Sequence, residues 1–245
     1  MFSMDDLQRR AQYGNRAQTD ADIDQGLRSY MLSVYNYMAI AVALTGLAAY
    51  GMSSWMTSNP QIAQTLFQSP LKWVIMLAPL GFVLVLSFGI HKMKTSTAQM
   101  VFWTYAAVTG VSISWILLVF TGESVARTFF ITSAAFGSLS LYGYTTKRSL
   151  SGMGSFLMMG LFGIIIASVV NIFLGSSALQ FAISVIGLLV FAGLTAYDTQ
   201  QIKEMYFAGD NSETQGRKAI MGALRLYLDF INMFMFLLQF LGNRE

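Results

Sequence analysis

Two stretches of this sequence carry no charged side chain at all: 43 residues from Ser29 to Leu71 and 49 residues from Ser149 to Tyr197. A soluble fold must return polar and charged groups to its surface every few residues, so runs of this length leave too little to face water. A bilayer core about 30 Å thick is crossed by roughly 20 apolar helical residues, and both runs satisfy that requirement. Composition agrees. Charged residues make up 11% and hydrophobic residues 55%, against roughly 25% charged in an ordinary soluble protein. The mean hydropathy is +0.54. The chain reads as a polytopic membrane protein.

Several function classes fall away at once. The net charge of +3 comes from residues that flank the apolar runs, so it speaks of membrane orientation and not of nucleic-acid binding. With no cysteine, disulfides, iron–sulfur clusters and thiolate metal sites are excluded. The first 28 residues are polar and mixed in charge, unlike a cleaved signal peptide, so the first span is expected to remain as an anchor. The 16 methionines read as adaptable packing and not as a copper path.

The expected fold class is all-α, with seven transmembrane helices near Tyr30–Met52, Leu71–Ile90, Gln99–Thr121, Val125–Tyr144, Gly154–Phe173, Ala178–Gln200 and Ala219–Leu241. The alternation of a barrel strand is absent. The 49-residue run is too long for one span and divides at Asn171–Ser177, where turn-forming residues predict a tight hairpin. Two regions follow: a polar N-terminal tail over residues 1–28 and a membrane domain over residues 29–245. Pro79 falls inside the second span, where it removes one backbone hydrogen bond. Gly152, Gly154, Gly160 and Gly163 offer small surfaces for close helix packing.

Basic residues divide unequally between the two ends of these helices. Arg9, Arg10, Arg16, Arg28, Lys92, Lys94, Lys147, Arg148, Lys203, Arg217 and Lys218 fall on one side, and Lys72, Arg127 and Arg244 on the other. The positive-inside rule then puts the N-terminus in the cytoplasm and the C-terminus outside. Trp55 and Trp73 fall near the outer interface, Trp103 and Tyr206 near the inner one.

Three charged residues sit where lipid should be. Asp198 lies near the cytoplasmic end of the sixth span, in Thr-Ala-Tyr-Asp-Thr-Gln-Gln. Asp229 lies close to the middle of the seventh, in Leu-Arg-Leu-Tyr-Leu-Asp-Phe-Ile-Asn. An ionised carboxylate there costs several kcal/mol unless it faces the bundle interior and finds partners. Arg225 is four residues before Asp229 and Asn232 three after it, so the three share one helical face. One reading is an Arg225–Asp229 ion pair that fixes helix packing. The other is functional: two carboxylates brought close together titrate as a coupled unit and can sense pH, hold a cation or do acid–base chemistry.

These segments also carry a resemblance. Phe191-Ala-Gly-Leu-Thr-Ala-Tyr-Asp-Thr-Gln-Gln-Ile-Lys203 and Leu226-Tyr-Leu-Asp-Phe-Ile-Asn232 resemble the two signature segments of the transmembrane Bax inhibitor motif family, most closely its bacterial members. The resemblance runs from Arg28 to the end of the chain. It implies six helices around the seventh and a pH-sensitive calcium leak channel of the bacterial cytoplasmic membrane. It implies that Asp198 and Asp229 form the proton-sensing pair and meet the calcium ion, which is cargo and not a resident cofactor. Thr195, Arg225 and Asn232 would be supporting polar residues. Some bacterial members carry a latch arginine after the second span, where this chain has His91, Lys92 and Lys94; lysine cannot make the bidentate pairing of arginine. Other members carry a glutamate within the second span, and none occurs between Leu71 and Ile90 here.

Two rival classes stand beside the channel, an enzyme and a regulator. An intramembrane aspartyl protease would need Gly-x-Gly-Asp at its second acid, and this chain has Tyr227-Leu-Asp229; a rhomboid-type serine protease would need a membrane histidine, and the only histidine is His91 at a loop edge. The chain is expected not to be an enzyme. A regulator of a membrane-anchored, ATP-dependent protease, contacted through the polar tail, is the alternative.

Overall fold

In the computed structural model, the backbone is described for residues 4–243 and the side chains for residues 23–66 and 69–243. The tail side chains up to residue 22, including Arg9, Arg10 and Arg16, and the terminal Arg244 therefore lie outside the described residues. Every regular element among the described residues is helical. In chain order they are α1 (Met4–Ser58), α2 (Pro60–Gln68), α3 (Leu71–Gly89), a 3-10 turn (Ile90–Lys92), α4 (Thr95–Ile113), α5 (Ile116–Val119), α6 (Gly122–Thr145), α7 (Ser151–Leu174), α8 (Ser177–Glu204) and α9 (Ser212–Leu241).

Six of these stretches are both long and apolar enough to cross a membrane: Ile23–Ser58, Leu71–Lys92, Thr95–Val119, Ser151–Leu174, Ser177–Glu204 and Ser212–Leu241. Seven were expected. The difference is α6, which at 24 residues and 1.5 Å per residue is long enough to cross but is diluted by Ser, Thr and Gly. Its inward stripe is Ser124, Thr128, Thr132, Phe136, Ser140 and Gly143. These residues recur at three- and four-residue spacing, so the polar groups go to the bundle interior while Phe130 and Leu141 remain outside.

The last helix, α9, is the most buried of the six stretches and packs against α1, α4, α6 and α8. Its neighbours approach closely where side chains are absent. A Cβ at Gly110 of α4 would stand 2.3 Å from the Thr45 carbonyl oxygen of α1, and one at Gly143 of α6 would stand 2.2 Å from that of Ala196 on α8. Of the α7 glycines singled out above, Gly154 lies under the Tyr197 ring and Gly160 against Val190, whereas Gly152 and Gly163 have open space in front of them. Half of that set is therefore packing and half is not.

The expected hairpin forms. α7 ends at Leu174, Gly175 adopts φ +60°, and the Asn171 side chain accepts the Ser176 N–H while Ser176 Oγ caps α8 at Leu179. Helix α3 continues through Pro79. Two elements were not anticipated. Pro60 opens the short helix α2 between the first two spans. The third span breaks after Ile113, where Ser114 Oγ donates to the Val111 carbonyl and the helix resumes as α5.

The ends of the bundle are tied across. At one end the rings of Tyr30 and Tyr206 are 5.7 Å apart, Lys203 Nζ donates to the Tyr144 carbonyl, and Glu213 accepts from both the N–H and the hydroxyl of Thr95. At the other, Arg127 donates to the Leu241 carbonyl, the Asn243 carbonyl accepts the Thr121 N–H, and the Asn243 N–H donates to Ser124 Oγ. Arg28, Lys203 and Arg217 therefore share one end, opposite Arg127.

Candidate functional site

Asp229 lies in the middle of α9 and is 3% exposed. Its neighbours Leu226, Tyr227, Phe230 and Met233 are all buried, so the carboxylate is carried into the interior by the most buried of the membrane-length helices. Its Oδ2 atom is buried without a hydrogen-bond partner. An unsatisfied buried carboxylate oxygen is costly, and native interiors tolerate it where a proton, an ion or a functional demand accounts for it.

Asp198 stands on α8, one residue before the buried Thr199, and its side chain is 16% exposed. The charged groups that act on Asp229 are Asp198 and Arg225, so the two acids share one electrostatic environment across the α8–α9 interface.

Arg225 differs from expectation. Its position one turn before Asp229 suggested a pair within α9; instead its guanidinium reaches toward α8 and lies 3.9 Å from Asp198 Oδ1. The reason is a difference in depth. Asp229 points into the core, while the Arg225 side chain remains 44% exposed and keeps its charge toward the bundle edge. Asp198 thus has a counter-charge at contact distance, and Asp229 feels the same arginine at longer range.

The supporting polar residues are both in place and both already occupied. Thr195 donates to the Phe191 carbonyl and contacts Met233 Sδ at 3.3 Å, and Asn232 donates to the Leu228 carbonyl. Their oxygen lone pairs remain for a cation or water. Among the described residues no group of three or more His, Cys, Asp or Glu side chains comes together to hold a metal. The side chains of Lys92 and Lys94 are exposed between α3 and α4 and make no hydrogen bond or ion pair among the described residues. That loop is instead fastened to the start of α9 by Glu213 on Thr95 and by Arg217 on the Met93 carbonyl.

Sequence reasoning missed the groups around the pair. Tyr35 on α1, Ser140 on α6 and Thr199 on α8 form a chain of hydroxyls, 2.6 Å and 2.9 Å apart, that ends beside Asp198. Gln200 accepts from the Leu150 N–H and donates to the Arg148 carbonyl, holding the loop between α6 and α7 against the same turn of α8. Deeper in the bundle, Thr45 bonds the Tyr227 hydroxyl at 2.7 Å and the Ala106 carbonyl at 2.9 Å. The signal for Ser140 was present, since Ser and Thr recur along α6 at the spacing of one face.

Residues 27–245 match the family model described as inhibitor of apoptosis-promoting Bax1. A Rickettsia prowazekii protein designated RP147 is 54% identical over 222 residues, covering 91% of this chain and 92% of its own. The inner membrane protein YbhL of Escherichia coli is 44% identical over 223 residues, covering 90% and 94%. The protein YrjE of Lactococcus lactis is 36% identical over 218 residues, covering 89% and 92%. The motifs around Asp198 and Asp229 lie inside the matched region, and the chain belongs to the Bax inhibitor-1-like family of membrane proteins.

Proposed function

We propose that this protein is a pH-sensitive cation leak pathway of the bacterial cytoplasmic membrane, with calcium as the transported ion and Asp198 and Asp229 as the sensing pair. The observation that carries the reading is Asp229: a mid-helix carboxylate with an unpartnered buried oxygen, facing a second acid across a helix interface. At low pH one proton shared between the acids holds α8 and α9 together. As pH rises both acids ionise, repel in a low-dielectric setting, and either separate or admit a cation. Calcium takes six to eight oxygen ligands, which two carboxylates, the oxygens of Asn232 and Thr195, backbone carbonyls and water can supply in passing. In this reading α6 crosses as well and brings the spans to seven, the N-terminus is cytoplasmic, and α9 is the axis around which the others are arranged. The E. coli inner membrane relative and the basic cluster at one end of the bundle support that placement.

Calcium flux in proteoliposomes across a pH series tests it. Flux should rise from acid to neutral pH, D198N and D229N should each flatten that profile, and R225A should move its midpoint upward. A double aspartate variant with the wild-type profile would remove the pair as sensor and leave packing as its role.

A further inference from the structure

A cleft of about 630 Å³ separates α1 from α6 at the end of the bundle that carries Arg28. Its walls are apolar, with Leu32 on one side and Gly137 and Leu141 on the other. Leu32 is 52% exposed and Leu141 62%, so the cleft is open sideways to lipid. Along α1 it runs from its mouth at Arg28 to Tyr35, and along α6 from Tyr144 to Phe136, about two turns on each. The floor is closed by the hydrogen bond from Tyr35 to Ser140, beyond which lies Thr199.

The mouth is cationic. Arg28 is the last charged residue before the 43-residue uncharged run, which puts it at the membrane surface, and it forms no ion pair. Lys203 stands against Tyr144 of the mouth, with its ammonium 5.1 Å from that ring, donating to the Tyr144 carbonyl and paired with no carboxylate among the described residues. An apolar slot open to hydrocarbon, capped by two cations without acidic partners, matches one ligand chemistry: an acyl chain joined to an anionic head group. We infer that the α1–α6 cleft is a binding site for an anionic phospholipid of the surrounding leaflet, its tail in the slot and its phosphate between Arg28 and Lys203.

Gly137 allows a direct test, because a Cβ there meets nothing within 4 Å. G137L therefore fills the slot without disturbing a helix contact. Gly163 on α7 is equally open but faces lipid away from the cleft, so G163L serves as control. Full-length protein in detergent is titrated with phosphatidylglycerol or phosphatidylcholine, and bound lipid is counted by native mass spectrometry. Wild type should prefer phosphatidylglycerol by about fivefold, the contribution of one interfacial cation. R28Q should lose that preference while retaining lipid, G137L should lose the bound lipid of either kind, and G163L should match wild type. Lipid bound by G137L as by wild type, or an undiminished preference in R28Q, would overturn the assignment. Since R28Q alters an exposed side chain only, its result is independent of any packing effect at position 137.

Discussion

Gly143 is where α6 and α8 touch, one turn from the Ser140–Thr199 hydrogen bond and close to Asp198 in sequence on the facing helix. A Cβ at this position would stand 2.2 Å from the Ala196 carbonyl oxygen, and ordinary contact begins at 3.4 Å. The obstruction is backbone, so no rotamer change relieves it, and G143A must part the two helices by roughly 1 Å. Overpacking of this kind costs about 1–3 kcal/mol. Opening a 2.9 Å hydroxyl contact by the same distance removes Ser140 from Thr199 and adds about 1 kcal/mol. The expected destabilisation is therefore about 2–4 kcal/mol, read from reversible unfolding in mixed micelles. G137A, on the same helix with open space before it, provides the reference and should be neutral or slightly stabilising. The two variants differ only in what stands opposite them. If G143A unfolded within about 0.5 kcal/mol of G137A, the tight α6–α8 contact would be refuted, and with it the hydroxyl chain that depends on it.

Three further outcomes follow from the same packing. T45V should cost more than Y227F, because T45V takes the hydrogen-bond partner from the buried Tyr227 hydroxyl and removes the α1–α4 bond to the Ala106 carbonyl, whereas Y227F leaves Thr45 bonded to backbone; unfolding free energies should be about 1–3 and about 0.5–1.5 kcal/mol lower respectively. Q200L should raise amide exchange at Leu150, whose N–H loses its acceptor, without changing exchange in the middle of α9. A periplasmic reporter fused to the C-terminus should be active and a cytoplasmic one silent; the reverse would mean an even number of spans and would place α6 outside the set that crosses.

Much of the fold was legible because charge is expensive in lipid. The uncharged runs gave the spans, Asn171 and Gly175 gave the hairpin between α7 and α8, and Asp229 stood out as an acid in an apolar helix. What stayed hidden depends on contacts across helices. Periodicity places Arg225 on the face of Asp229 but says nothing of the helix opposite, so the turn of its side chain toward Asp198 could not be read. The break at Ser114 was equally silent, since a serine within an apolar stretch bonds backward to its own helix as readily as it ends one. α6 is the expected span whose hydropathy falls short: its hydroxyls lower that hydropathy, and they point inward, where Thr132 bonds the Thr128 carbonyl and Ser140 bonds across to α1 and α8.

The Thr45 hydroxyl has a mechanical consequence. One oxygen joins the backbone of α1, the backbone of α4 and the side chain of α9, half a turn from Asp229. Helices α4 and α9 also share the aromatic packing of Phe102, Tyr105 and Tyr227, whose rings stand 5.4–6.4 Å apart. Displacing α9 alone would break this joint in a medium that offers no water in exchange. Helix α8 is tied to both neighbours: to α6 by the Gly143 contact and the Ser140–Thr199 bond, and to α9 by Ser184 and Gln180 on Gln239 and by Thr195 on the Met233 sulfur. The Thr45 joint thus makes α1, α4 and α9 one stator at the depth of Asp229, while α8 is pinned to it near Gln239, ten residues along α9. In the proposed mechanism, separating the two acids would swing the Asp198 end of α8 about that pin, and Arg225, 3.9 Å from Asp198, is the tether such a swing would stretch.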